Sequence, residues 1–343
     1  MPLRTRSLVA IAAALFLIVS GCSWHHRGPR PGQLTLGMVT DTGGLGDHSF
    51  NDSAYRGLLN SQARLGAYIQ VLQSRSAADY QPNLSALTNL HFDMIYAIGF
   101  LMANDLDEVA KANPTQQYCI IDAVVPDPNI VSVTFKEQDG SFLAGSLAAM
   151  MTHTHHIAFL GGEDIPLLEK FEAGFVAGAH EIDPTMRVDV KYVGSFDDVA
   201  AGKELTDLLF DSGADIVYAA AGKATLGAID AVKSRTGDYV IGVDSDQDAL
   251  APGKILTSMV KKVYVAVFDV ARAVQRRHPL HGHIVLGLRE HAIGLTDFRY
   301  TKKAIGPARL ARLALIERAI EDGRIVPPYT RAGEATFKPV ALP

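Results

Sequence analysis

From residue 34 onward the chain alternates between two kinds of segment. Short, nearly continuous apolar runs read as strands buried on both faces, and longer stretches with apolar residues every three or four positions read as helices. Leu34–Thr40 is the first such strand, followed by a helix over 50–65 closed by Gly66. Strand 68–72, helix 84–90, strand 92–98, helix 103–112 and strands 118–121 and 130–135 complete a first half. The rhythm then restarts with helix 138–151, strand 157–160, helix 166–181, strand 188–193 and helix 200–212. Strand 215–219, helix 224–234, strands 239–243 and 254–260, helix 263–277, strand 284–288 and a last helix 304–322 follow. This predicts an α/β, two-lobed protein, each lobe a parallel sheet flanked by helices.

Composition sharpens the class. A chain of 343 residues with 48% hydrophobic and 20% charged residues has enough apolar material for two cores, and is neither disordered nor a multi-span membrane protein. With 32 basic against 37 acidic residues the net charge is −5, which gives no electrostatic case for binding nucleic acid.

The N-terminus has its own pattern. Arg4 and Arg6 precede the apolar run Leu8–Val19, which ends in Ser20-Gly21-Cys22. A basic start, an apolar segment of about a dozen residues and a small-residue end form a secretory signal over 1–21, too short to span a bilayer comfortably. Val19-Ser-Gly-Cys22 resembles a bacterial lipobox, which makes Cys22 a lipid-anchored mature N-terminus on the extracytoplasmic face of the cell membrane. Residues 22–33 read as a flexible tether. The other cysteine, Cys119, sits in an apolar run and reads as a buried thiol without a disulfide partner.

Open α/β sheets bind ligands beyond the carboxyl ends of their strands. Asp41, the segment 47–52, Asp122, Gly222 and Asp244 all stand at such strand mouths. An aspartate there is commonly a helix cap; several converging on one cleft would suit a ligand rich in hydroxyl or N–H donors. Phe50-Asn51 is the most informative pair, offering a flat stacking face beside an amide. The same residues could serve as a hydrophobic staple and a cap.

Several longer motifs carry a resemblance. Val39–Gly57 (Val-Thr-Asp-Thr-Gly-Gly-Leu-Gly-Asp-His-Ser-Phe-Asn-Asp-Ser-Ala-Tyr-Arg-Gly), Phe135–Gly145, Phe171–Gly178, Gly242–Gln247 and Leu256–Lys261 occur in order. They resemble the basic membrane protein (PnrA-like) family of substrate-binding lipoproteins over about 34–328. The resemblance implies a periplasmic-binding-protein type I fold with hinge crossovers, and an ABC-importer receptor for a nucleoside, of the purine type. It implies an N-terminal lobe of 34–134 plus 262–291 and a C-terminal lobe of 135–261 plus 292–339. It also implies that Phe50 stacks on the base, with Asn51 and Asp122 on its edge. Asp244 would take ribose hydroxyls, Lys261 add a donor and Gly222 admit the backbone, with Asp41 lining the same mouth. Phe171, with Tyr218 in reserve, would close the sandwich from the far lobe. The partners implied are the nucleoside, ABC permease subunits and the membrane through Cys22, with no cofactor and no metal. One departure is Lys223, which replaces a small residue in a turn with fewer glycines than the family's, and either alters the sugar end of the pocket or points to solvent.

Other classes fare worse. Gly43-Gly-Leu-Gly46 lacks the spacing of a dinucleotide fingerprint, and there is no nucleophile elbow or P-loop, so an enzyme is not expected. His153, His155, His156 and His278, His281, His283 read as solvated loops rather than metal sites. A DNA-binding regulator sharing the receptor fold would need a domain where the signal stands. A sugar receptor of the ribose type, or a ligand sensor without transport, remains the alternative function.

Overall fold

The computed structural model describes residues 28–341; the signal segment and Cys22 lie outside them. In chain order the first half comprises β1 (Thr35–Thr40), α1 (Phe50–Leu65), β2 (Tyr68–Gln73), α2 (Tyr80–Asn89), β3 (Met94–Ile98), α3 (Ala103–Ala112), β4 (Tyr118–Ile121) and β5 (Ile130–Phe135). Then come α4 (Glu137–Met151), β6 (His156–Gly161), α5 (Pro166–Ile182), β7 (Arg187–Tyr192), α6 (Val199–Asp211), β8 (Ile216–Ala220), α7 (Thr225–Lys233), β9 (Tyr239–Asp244) and β10 (Ile255–Lys261). The chain ends with α8 (Val263–Gln275), β11 (Gly282–Leu286), β12 (Ile293–Leu295), α9 (Lys302–Ile305), α10 (Pro307–Glu321) and α11 (Arg331–Glu334).

Two six-stranded sheets result, ordered β11-β5-β4-β3-β1-β2 and β12-β10-β9-β8-β6-β7. The first is parallel throughout; in the second only β12 runs antiparallel, against β10. The protein is therefore two-lobed, and the fully apolar runs become the central strands β3, β4, β6 and β8, every residue of them buried. Both sheets end their strands at the same cleft. The chain crosses between lobes three times, after β5, after β10 and between β11 and β12. These crossovers are joined by backbone bonds, Lys136 N–H to Leu286 O and Lys262 N–H to Ala292 O, both 2.8 Å.

Two glycine motifs prove to be packing devices. A Cβ on Gly178 would stand 2.0 Å from the Phe142 carbonyl oxygen, and one on Gly145 would stand 1.9 Å from that of Phe175. Helices α4 and α5 thus cross with their backbones in contact, which only glycine permits.

Several expected boundaries are corrected. The single helix over 304–322 is broken into α9 and α10, because Gly306 takes φ 79° and Pro307 starts a new helix. The strand expected at 284–288 lies two residues earlier, since its register against β5 pairs Gly282 with Val131 and Leu286 with Phe135. β12, three residues long, has no legible period. His156 is not in a solvated loop: it opens β6, buried, 3.0 Å from Asp189. His283 likewise belongs to β11, its ring nitrogen 2.7 Å from Thr134 Oγ1. Cys119 is a buried free thiol, as its apolar surroundings predict, and burial pushes that thiol up.

Candidate functional site

The cleft between the lobes encloses about 550 Å³ of space not filled by atoms, part of it open to solvent. All eight residues singled out from the sequence line it: Asp41, Phe50, Asn51, Asp122, Phe171, Gly222, Asp244 and Lys261. Their common placement follows from topology: seven stand at a strand end or a helix start facing the cleft, and Phe171 comes from the second turn of α5.

The loop after β1 is organised by carboxylates. Asp47 accepts the backbone N–H groups of Ser49 (2.9 Å), Asn51 (2.7 Å) and Asp52 (3.1 Å), and so caps α1. That frees Asn51 from the capping role. Its amide nitrogen donates to Asp41 Oδ1 (2.7 Å) and Asp47 Oδ2 (3.2 Å), which fixes the flip of the amide. Asn51 Oδ1 is left buried without a partner. Phe50 serves two purposes, joining the core cluster and lining the cleft.

Asp122 and Asp244 approach from opposite lobes with the same unusual backbone. Both take positive φ, 70° and 62°, a conformation aspartate tolerates better than most residues. Asp122 Oδ2 accepts from Lys261 Nζ at 2.5 Å, and Asp244 Oδ2 accepts from Ser49 Oγ at 2.8 Å. In each carboxylate Oδ1 is buried and has no hydrogen bond.

Lys261 ends β10 and is buried. Its ammonium stands 3.7 Å from Glu137 and 3.8 Å from Asp244, and 4.8, 5.4 and 5.5 Å from the ring centres of Phe50, Phe135 and Phe171. Burial pulls its pKa down, but the three carboxylates together outweigh that and hold it above its ordinary value. Burial acts the other way on the acids: Asp41 is pushed up to about 7 and Asp244 to about 6, in each case against an opposing partner, Asn51 and Lys261 respectively. Glu137 is raised too, by burial.

Some participants escaped the sequence reading. Phe196, Phe100, Leu167 and Leu168 also line the cleft, and Glu137 completes the charge cluster. Phe196 lies in a polar loop after β7, where an isolated aromatic beside glycine and aspartate was the available signal. Tyr218, the reserve aromatic, is in the core against Phe159 and Phe175, not in the cleft. Lys223 lines the cleft, half-buried. Among the described residues no group of three or more His, Cys, Asp or Glu side chains could hold a metal ion.

Comparison with known proteins places this architecture. The sequence profile of the family described as "ABC transporter substrate-binding protein PnrA-like" matches residues 34–316. The chain belongs to that family. A "CD4+ T-cell-stimulating antigen" of Listeria monocytogenes is 35% identical over 316 residues, 86% of this chain and 88% of that protein. An "ABC transporter nucleoside-binding protein BmpA" of Lactococcus lactis is 33% identical, covering 78% and 84%. Among solved structures, ABC transporter solute-binding proteins from Aeropyrum pernix K1 superpose with a TM-score of 0.82 at 26% identity, over 88% of this chain and 96% of that one. The periplasmic-binding-protein type I fold is thereby established.

Proposed function

We propose that the protein is an extracytoplasmic receptor of an ABC importer that binds a purine nucleoside between its lobes and hands it to a permease. No bond is made or broken in this role, so it is not an enzyme. The observation that carries the ligand class is the set of three buried acceptors without a hydrogen bond, Asn51 Oδ1, Asp122 Oδ1 and Asp244 Oδ1, in one cleft with Phe50 and Phe171. Buried acceptors without partners are costly unless a ligand supplies donors. A nucleoside does so at both ends, through the base edge and the sugar hydroxyls, and offers a ring face between them. In this reading Asn51 and Asp122 take the base, Asp244 the ribose, Phe50 and Phe171 the ring faces. Lys261 and Asp41 orient these acceptors, and Gly222 and Lys223 border the sugar.

The lobes divide at the crossovers, 34–134 plus 262–291 against 135–261 plus 292–339. Ligand contacts from both halves favour the closed form. A lipid on Cys22 would hold the receptor at the membrane. Titration calorimetry on protein starting at Ser23, with adenosine, guanosine, inosine, cytidine, uridine, adenine and ribose, tests the ligand. Purine nucleosides binding far above ribose is the expected result. Ribose binding alone would move the protein to the sugar receptors.

A further inference from the structure

The strands of the first sheet run toward the cleft, so their starting ends form the opposite face, the base of the N-terminal lobe. Helices α1 and α8 begin at the cleft and end at this base. The described chain also enters here: Arg30 and Arg277 line one open recess with Gln33, Leu65, Gln275 and Asp93, whose carboxylate accepts from the Thr35 backbone N–H and hydroxyl. Beside it, Arg64 and Arg272 bracket the Phe268 ring, their guanidinium carbons 5.6 and 5.7 Å from its centre. Arg276 follows α8 and is exposed. Arg272 is paired with Asp269 at 2.8 Å. Arg30, Arg64, Arg276 and Arg277 have no acidic partner among the described residues. The C-terminal end of a helix attracts cations, which accounts for Arg64, but Arg30 and Arg277 lie beyond any helix. Five arginines thus gather here against Asp93 and Asp269, an excess of positive charge on a chain of net charge −5.

The length of the tether says what this face meets. Cys22 is six residues from Gly28, so even fully extended the tether reaches only about 20 Å. The segment between adds Trp24, a residue type favoured at membrane interfaces, and Arg27.

We infer that the base of the N-terminal lobe is a docking surface for an anionic lipid bilayer, with Arg30, Arg64, Arg276 and Arg277 against the phosphate headgroups. The inference rests on the lipid anchor proposed above. Guanidinium groups pair with phosphate oxygens in forked geometry. The attraction fades within a Debye length, about 8 Å at physiological salt, so it acts only when the tether brings this face to the surface. Docked this way, the N-terminal lobe is held while the C-terminal lobe moves in closure.

The test uses protein starting at Ser23, which lacks the anchor but keeps every strand and helix described. Its sedimentation with phosphatidylcholine vesicles is compared with and without roughly one third phosphatidylglycerol. Binding to the anionic vesicles alone, weakened by salt, is expected. Arg276→Glu with Arg277→Glu should reduce it about tenfold or more, whereas Lys302→Glu with Lys303→Glu on the far lobe should not. An unchanged thermal unfolding midpoint checks that the variants are folded. Equal binding to neutral and anionic vesicles, or equal loss from both charge reversals, would overturn the inference. The anchor is tested separately by Cys22→Ser, so the two failures are distinguishable.

Discussion

Lys261 Nζ lies 2.5 Å from Asp122 Oδ2, an ion pair that joins the last residue of a C-terminal-lobe strand to a strand mouth of the N-terminal lobe. Both side chains are buried. The pair therefore does two things: it sets an opposite charge against a buried carboxylate, and it ties the lobes together beside the cleft. Asp244 and Glu137 share the same ammonium at longer range, and Lys170, 3.2 Å from Glu137, adds a second cation on that acid.

Removing that lysine leaves Asp122 and Asp244 without their cation, while Glu137 keeps Lys170. Lys261→Met should lower stability by about 3–5 kcal/mol, read from the urea midpoint, with Lys261→Arg falling between the two. A midpoint unmoved in Lys261→Met would show that the ion pair adds nothing net to stability.

Asp122 tests the base edge, and Asn is the better substitution because it tolerates the positive φ. Asp122→Asn should weaken nucleoside binding about ten- to a hundredfold, the worth of a hydrogen bond to a charged group. Asp122→Ala should abolish binding. Calorimetry showing nucleoside affinity unchanged in either variant would remove Asp122 from the recognition of the base.

The raised acids set a pH dependence. Asp41 moves from an ordinary value of 3.8 to about 7 in the fold. Between those values the folded state binds more protons than the unfolded, so this contribution is full below about 4 and is lost as pH rises through 7. Asp41→Asn should flatten that slope in a wild-type-minus-variant comparison of unfolding free energy. Nucleoside affinity should run the other way at Asp244, falling as pH drops through about 6, because the ionised carboxylate is the acceptor. Affinity constant from pH 5 to 8 would exclude that role.

Gly178→Ala should destabilise by about 2–3 kcal/mol in chemical denaturation, although alanine ordinarily favours a helix over glycine. The added methyl meets the Phe142 carbonyl across the α4–α5 crossing. A neutral or stabilised variant would mean that the two helices separate at little cost.

Cys22 lies outside the described residues, so its role is tested in cells. Cys22→Ser should leave the protein in the soluble fraction after disruption and washing. Retention in the membrane fraction would reject the lipid anchor.

The alternation of strands and helices, the two-lobed class and the strand-mouth residues that line the cleft were all legible in the linear pattern. This is so because burial on both faces writes a continuous apolar run, and because parallel sheets place functional loops at one end. The sequence motifs also carried the family. Phe50, Asn51, Asp122 and Asp244 were legible for that reason. Tertiary structure decided the rest. Asp47, not Asn51, caps α1, and only that geometry leaves Asn51 with a fixed amide and a free oxygen. Glu137 joined the cluster because a crossover delivers it to Lys261, and Phe196 came to the cleft from a loop with no periodicity. The glycines of α4 and α5 looked like a family signature and proved to be a backbone contact. Local pattern records which face of an element is buried; which elements meet, and at what distance, depends on chain crossovers that no short window contains.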